Sequence, residues 1–99
     1  MEYKLIVDAD VNHLKLFGEI DLHSSPELRK IIMSAVDSSH KLEVDLSQVS
    51  YLDSSGVACF VEAYQLSKNN KLDFSLQNIS EAAMQVIKLA RLDQVFPIK

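Results

Sequence analysis

Tyr3, Leu5 and Val7 alternate with Lys4, Ile6 and Asp8, a period of two that predicts a β-strand. The polar stretch Ala9-Asp10-Val11-Asn12 reads as a turn, and His13–Gly18 as a second strand carrying Leu14 and Leu16. So short a link implies an antiparallel hairpin. In "HSSPEL" the pattern changes to a helical one. Pro26 suits a first helical turn, Ser24 or Ser25 can cap, and Ser24 with Glu27 has capping-box spacing. Leu28, Ile31, Ile32, Ala35 and Val36 fall on one helical face, and Ser38, Ser39 and His40 are expected to end it. Leu42, Val44 and Leu46 then alternate with Lys41, Glu43 and Asp45 as a third strand, with "SQVSYLD" as its connection onward. Val57, Phe60, Val61 and Tyr64 form a second helical stripe, ended by Asn69-Asn70. Leu72, Phe74 and Leu76 mark a fourth strand. Ser80 caps a third helix with the stripe Ala83, Val86, Ile87 and Ala90. Phe96 and Ile98 suggest a short closing strand, which Pro97 confines to an edge.

Strands joined through helices lie parallel with right-handed crossovers, whereas the initial hairpin is antiparallel, so the expected sheet is mixed. Alternating strands imply one wet face, which places the helices mainly on the other. The predicted fold is a single α/β domain over residues 1–99, a small mixed β-sheet with helices mainly on one face.

Composition narrows the function. The chain has 99 residues, 47% of them hydrophobic, which suffices for one compact core. A net charge of −4 speaks against nucleic-acid binding, which needs a basic face for phosphates. A single cysteine excludes an intrachain disulfide and speaks against a cysteine-based metal site. The N-terminus lacks a basic region followed by an apolar signal core. No apolar stretch approaches the roughly 20 residues of a spanning helix, so direct membrane insertion is not expected and the expected location is cytoplasmic.

Enzyme chemistry finds little purchase. His13, His23 and His40 are scattered, without HxH or HxxxH spacing. Cys59 lies one turn into an amphipathic helix, where a small packing role is the ordinary one. Ser55 is not in a G-x-S-x-G elbow, because Tyr51-Leu52-Asp53 precedes the serines. No P-loop or GxGxxG is present, and Glu19 and Asp21 read as a solvated loop edge. Asp53-Ser54-Ser55-Gly56 remains. Asp and Ser are favoured helix caps, and Gly permits a close backbone approach. The same geometry leaves a hydroxyl at an accessible helix start, where added phosphate would meet unpaired N–H groups and repel Asp53. Local patterning leaves both readings open.

Several segments, in order, resemble the STAS family, named for sulfate transporters and anti-sigma factor antagonists. "FGEIDLHSSPEL" resembles its G-E-[LI]-D segment between second strand and first helix. "LEVDLSQVSYLDSSGVA" resembles its strand and D-S-[ST]-G-[LV] signature, and "LARLDQVFPI" its closing L-x-x-[VL]-F-x-[IV]. The resemblance implies a bacterial anti-sigma factor antagonist rather than an enzyme, with no cofactor of its own. Ser54 corresponds to the phosphorylated serine, with Asp53, Ser55 and Gly56 shaping the site. The implied partner is an anti-sigma factor that is also a serine kinase with a histidine-kinase-like ATPase fold. Phosphorylation weakens that complex and a phosphoserine phosphatase restores it. The expected docking surface comprises Asp21, Ser54 and the outward side of the second helix, Ala58, Cys59, Glu62 and Leu66. Members of the regulatory group commonly continue into another helix, whereas this sequence stops at Lys99. That keeps a second implication in view, a cytoplasmic accessory subunit docking on the ATPase of an Mla-type lipid-transport ABC system. Members of that type often show D-T-G-G-like sequences where Asp53–Gly56 stand here.

Overall fold

The structure, a computed structural model, describes residues 1–36 and 40–99. The elements follow the order β1 (Glu2–Asp8), β2 (Val11–Ile20), α1 (Ser25–Val36), β3 (Lys41–Leu52), α2 (Ser54–Asn69), β4 (Phe74–Gln77) and α3 (Glu81–Leu89). The sheet order is β1-β2-β3-β4. β1 and β2 pair antiparallel, and β2–β3 and β3–β4 pair parallel, which is the mixed sheet the connections predict. The expected helix end at Ser38 and Ser39 lies outside the described residues. Near the C-terminus Ile98 bridges to Leu76 in parallel. Leu76 N donates to Pro97 O and Lys99 N to Leu76 O, so Pro97 does sit on an outer edge, where its missing N–H is harmless.

Leu14, Leu16, Leu42, Val44, Leu46, Phe74 and Leu76 turn one sheet face toward Leu28, Ile32, Phe60, Ala63, Ala83 and Ile87 of the helices, all buried. Several boundaries differ from the sequence reading: β2 runs to Ile20 rather than Gly18, which puts Glu19 in the strand, and β4 begins at Phe74 rather than Leu72. β2 begins at Val11, leaving only Ala9-Asp10 as the hairpin turn, with Ala9 in the left-handed region at φ 51°. β3 runs on through "SQVSYL", which is strand rather than connection. Its pairing with β2 shifts between Lys15 and Phe17 and again between Gly18 and Glu19. Each shift inserts a residue on the β3 side, so Leu46, Val49 and Leu52 all reach the core at three-residue spacing. That spacing hides the strand from a period-of-two search. Ser80 secures the first bulge: its N–H donates to Leu46 O at 3.2 Å and its hydroxyl to Val49 O at 2.7 Å. The same hydroxyl accepts from Ala83 N and caps α3.

β1 departs from expectation more fully. All seven of its residues are exposed, although their alternation predicts a half-buried strand. The helices cover β2, β3 and β4 and stop short of β1. Among the described residues, no helix is long and apolar enough to cross a membrane.

Candidate functional site

β2 and β3 end together, with Ile20 opposite Leu52, and both chains turn into helices at this C-terminal end of the parallel strands. Open α/β sheets place their functional groups at such ends. Asp53 follows directly, its N–H donating to Ile20 O at 3.2 Å, which ties the two turns together. Extended at φ −115°, ψ −176°, Asp53 is the N-cap of α2. Its Oδ1 accepts from Ser55 N at 2.9 Å, Gly56 N at 3.4 Å and the Ser55 hydroxyl at 2.5 Å. The Ser55 hydroxyl, then the Ser55, Gly56 and Leu22 N–H groups, hold the carboxyl below its ordinary range against a smaller opposing effect of burial. Asp53 is therefore an anion near neutral pH.

Gly56 is buried beneath this cap. A Cβ there would lie 2.6 Å from Ile20 Cγ2 and 2.6 Å from Leu52 Cδ1. Only a residue without a side chain lets α2 start so close to the paired strand ends.

The two serines are placed differently. Ser55 is half-buried and its hydroxyl donates to Asp53. Ser54, the first residue of α2, is exposed. Its hydroxyl makes no hydrogen bond to a described residue and stands open to an approaching group. Asp21 occupies the equivalent turn after β2. Its Oδ1 accepts from His23 N, Ser24 N and the Ser24 hydroxyl, at 3.0, 3.0 and 3.2 Å. The Ser24 N–H foremost lowers the Asp21 pKa, so this carboxylate is also charged. The Ser24 hydroxyl serves that turn, and Asp21 N donates back to it at 3.0 Å, in place of the capping box the spacing suggests.

Beside the helix starts runs an open groove of about 430 Å³ between α1 and α2, lined by Ser25, Pro26, Arg29, Ser55, Ala58 and Glu62 among others. Arg29 Nε reaches Glu62 Oε2 at 3.1 Å across it.

The family model described as "STAS domain" matches residues 4–99. The chain belongs to the STAS family. The anti-sigma-B factor antagonist of Bacillus subtilis (strain 168) is 31% identical to this STAS chain over 91 residues, covering 92% of it and 81% of the relative. The crystal structure of an anti-sigma factor antagonist from Mycobacterium paratuberculosis superposes with a TM-score of 0.85 at 28% identity, covering 98% of this chain and 83% of that one. The anti-sigma factor antagonist SpoIIAA in its unphosphorylated form matches at a TM-score of 0.84, over 99% of this chain and 88% of its own. Its 21% identity makes it a witness to the fold.

Within the STAS fold, the expected outward side of α2 needs correction. Cys59 is 6% exposed, and its thiol lies 3.6 Å from Ser25 O. Burial first, then the Glu62 charge, raises its pKa against the opposing pull of Arg29. Leu66, expected to face outward, is half-buried and packs against the core, as do Val61 and Tyr64, expected to face inward. The buried side of α2 is Gly56, Val57, Cys59, Phe60, Ala63 and Ser67. α2 is wedged between the sheet and α1, so two of its sides are covered and a single apolar stripe misplaces the boundary. Of the expected helix residues, Ala58 is exposed and Glu62 half-buried, both on the groove. Sequence reasoning missed Arg29, Lys30 and Pro26 on the opposite wall. They lie on the polar side of α1, and only the packing of α1 on α2 reveals that this side faces the site. Leu22, 76% exposed in the turn after Asp21, was also missed.

Proposed function

We propose that this STAS chain is an anti-sigma factor antagonist-like partner-switching regulator, binding a kinase-type anti-sigma factor and released from it by phosphorylation of Ser54. The exposed, unengaged Ser54 hydroxyl beside a fixed Asp53 cap carries the reading, and relatives named as anti-sigma factor antagonists support it. The partner supplies ATP, metal and catalytic base. The Ser54 oxygen takes the γ-phosphoryl group, its proton passes to the base, and ADP leaves. Asp53, Ser55 and Gly56 hold the acceptor in place. The docking surface is the rim of Asp21, Leu22 and Ser54 with Ala58 and Glu62 on the groove, over a floor of Cys59 and with Leu66 at the edge. A phosphate adds about −1.5 to −2 charge to a rim that already carries two carboxylates, and a partner complementary to the unmodified rim then meets repulsion. A phosphoserine phosphatase resets the switch. The lipid-transporter subunit reading finds no support among the relatives described.

Phosphate transfer from ATP and binding affinity with a cognate kinase-type anti-sigma factor test this for wild type, Ser54→Ala and Ser54→Asp. The expected results are transfer to wild type alone, near-wild-type binding by Ser54→Ala, and binding by Ser54→Asp weaker by about tenfold or more, ~1.4 kcal/mol. Equal affinity of wild type and Ser54→Asp, with no transfer, refutes the proposal.

A further inference from the structure

β1 is an edge strand whose outer side pairs with no strand among the described residues. Tyr3, Leu5 and Val7 share the helix-side face with exposures of 48%, 39% and 61%, and Ile6 on the other face is 50% exposed. No helix shelters them. Such edges are commonly blunted with charges, a bulge, a proline or a covering loop. β1 carries Glu2, Lys4 and Asp8 but has no bulge or proline and keeps a regular seven-residue register with β2.

The charges along β1 specify what fits it. Two copies of β1 meeting antiparallel about a two-fold axis perpendicular to the sheet keep both helix layers on one side, and opposed residues then share a face. An axis through Lys4 sets Lys4 against Lys4. An axis through Leu5 sets Glu2 against Asp8 twice. An axis through Ile6 sets Lys4 against Asp8 twice, Leu5 against Val7 twice and Ile6 against itself. Opposite charges directly across a strand pair stabilise and like charges destabilise. An axis through Tyr3 also opposes unlike charges, Glu2 against Lys4 twice, but leaves Ile6 and Val7 beyond the partner strand. The Ile6-centred register is therefore the one complementary in both charge and apolar contact.

We infer that this chain self-associates through β1, joining two four-stranded sheets into one of eight strands in the register that opposes Lys4 and Asp8. The pairing covers Leu5, Ile6 and Val7 of both copies. It lies at the far side of β2 from β3, so it leaves both Ser54 hydroxyls and both α1–α2 grooves open. The paired surface is one strand per copy, well below the roughly 20–30 residues a side of a standard interface. The expected dimer is weak, with a dissociation constant on the order of 10–500 µM, in the range of small transient contacts.

Sedimentation equilibrium of the full chain, from about 5 µM to 1 mM at low salt, reads the inference directly. Wild type is expected to shift from monomer to dimer over that range. Asp8→Lys, which opposes Lys4 with lysine, and Lys4→Asp, which opposes Asp8 with aspartate, are each expected to weaken dimerisation about tenfold or more. Far-UV circular dichroism identifies any variant that fails to fold, and the other single variant then carries the test. The charge-swapped double variant Lys4→Asp/Asp8→Lys restores opposed pairs and is expected to recover the dimer. A wild type that stays monomeric to 1 mM overturns the inference. So does a dimer indifferent to both single substitutions, or a double variant that recovers nothing.

Discussion

Gly56→Ala asks whether the site is built on a backbone contact. The added methyl lies 2.6 Å from both Ile20 Cγ2 and Leu52 Cδ1, about 1 Å inside the 3.5–4.0 Å optimum for carbon atoms. Both neighbours are buried, Ile20 at 0% and Leu52 at 2% exposure, and Ile20 Cγ2 branches next to the backbone, so it cannot swing aside as the end of a long side chain can. Overpacking of this kind costs about 1–3 kcal/mol. Alanine returns up to about 1 kcal/mol of helix propensity, less near a helix start. The expected net loss is about 1–2 kcal/mol, which for a domain of this size lowers Tm by roughly 5–15 °C. Ala58→Gly is the control. Ala58 is exposed two residues further along α2, so the reverse substitution there costs about 1 kcal/mol from propensity alone. Urea unfolding followed by circular dichroism measures both. If Gly56→Ala proves as stable as wild type or more so, the close approach of α2 to the strand ends is not what Gly56 serves.

Two further outcomes follow from the ionisable groups. Asp53→Asn keeps a cap oxygen and is expected to destabilise by about 0.3–1 kcal/mol near neutral pH, through loss of the negative charge at the helix start. The Asp53 pKa is depressed in the folded state, first by the Ser55 hydroxyl. Its contribution is therefore complete well above the unfolded carboxyl value of about 3.9 and vanishes as pH falls through the lower folded pKa. The stability gap between wild type and Asp53→Asn should close on acidification below about pH 4, and a gap that is flat with pH refutes the assignment. For Cys59, burial raises the pKa and shields the thiol. Alkylation at pH 8 should run at least about tenfold slower in the native protein than in urea, and equal rates would contradict the packing of α1 over α2.

The order of elements was readable because alternation and helical stripes are local signals, and Leu42-Val44-Leu46 and Leu28-Ile32-Ala35 keep their periods in the structure. The signal failed wherever a neighbour changed the period. Bulges moved β3 to three-residue spacing at Leu46, Val49 and Leu52, and α1 covered a second side of α2 at Cys59. β1 shows the converse, because its alternation is regular while no helix is long enough in reach to bury it. The Asp53–Gly56 cluster was legible as a cap and a close approach. That Ser55 is engaged and Ser54 is not depends on a side-chain choice between neighbouring hydroxyls, and no spacing encodes it.

That choice shapes how the proposed switch acts. A phosphate on Ser54 would stand next to a carboxylate that three donors hold ionised. Asp53 cannot turn away without giving up the helix cap. The helix start cannot shift inward either, because Gly56 is already packed on Ile20 and Leu52. Arg29 Nε already lies 3.1 Å from Glu62 Oε2, so that cation is shared with another carboxylate. With the cap and the helix start held in place, the new charge is expressed outward at the rim. The switch then changes what can dock and leaves the fold as it was, so Ser54→Asp should unfold with nearly wild-type stability while losing its partner, a separation that a conformational switch would not give.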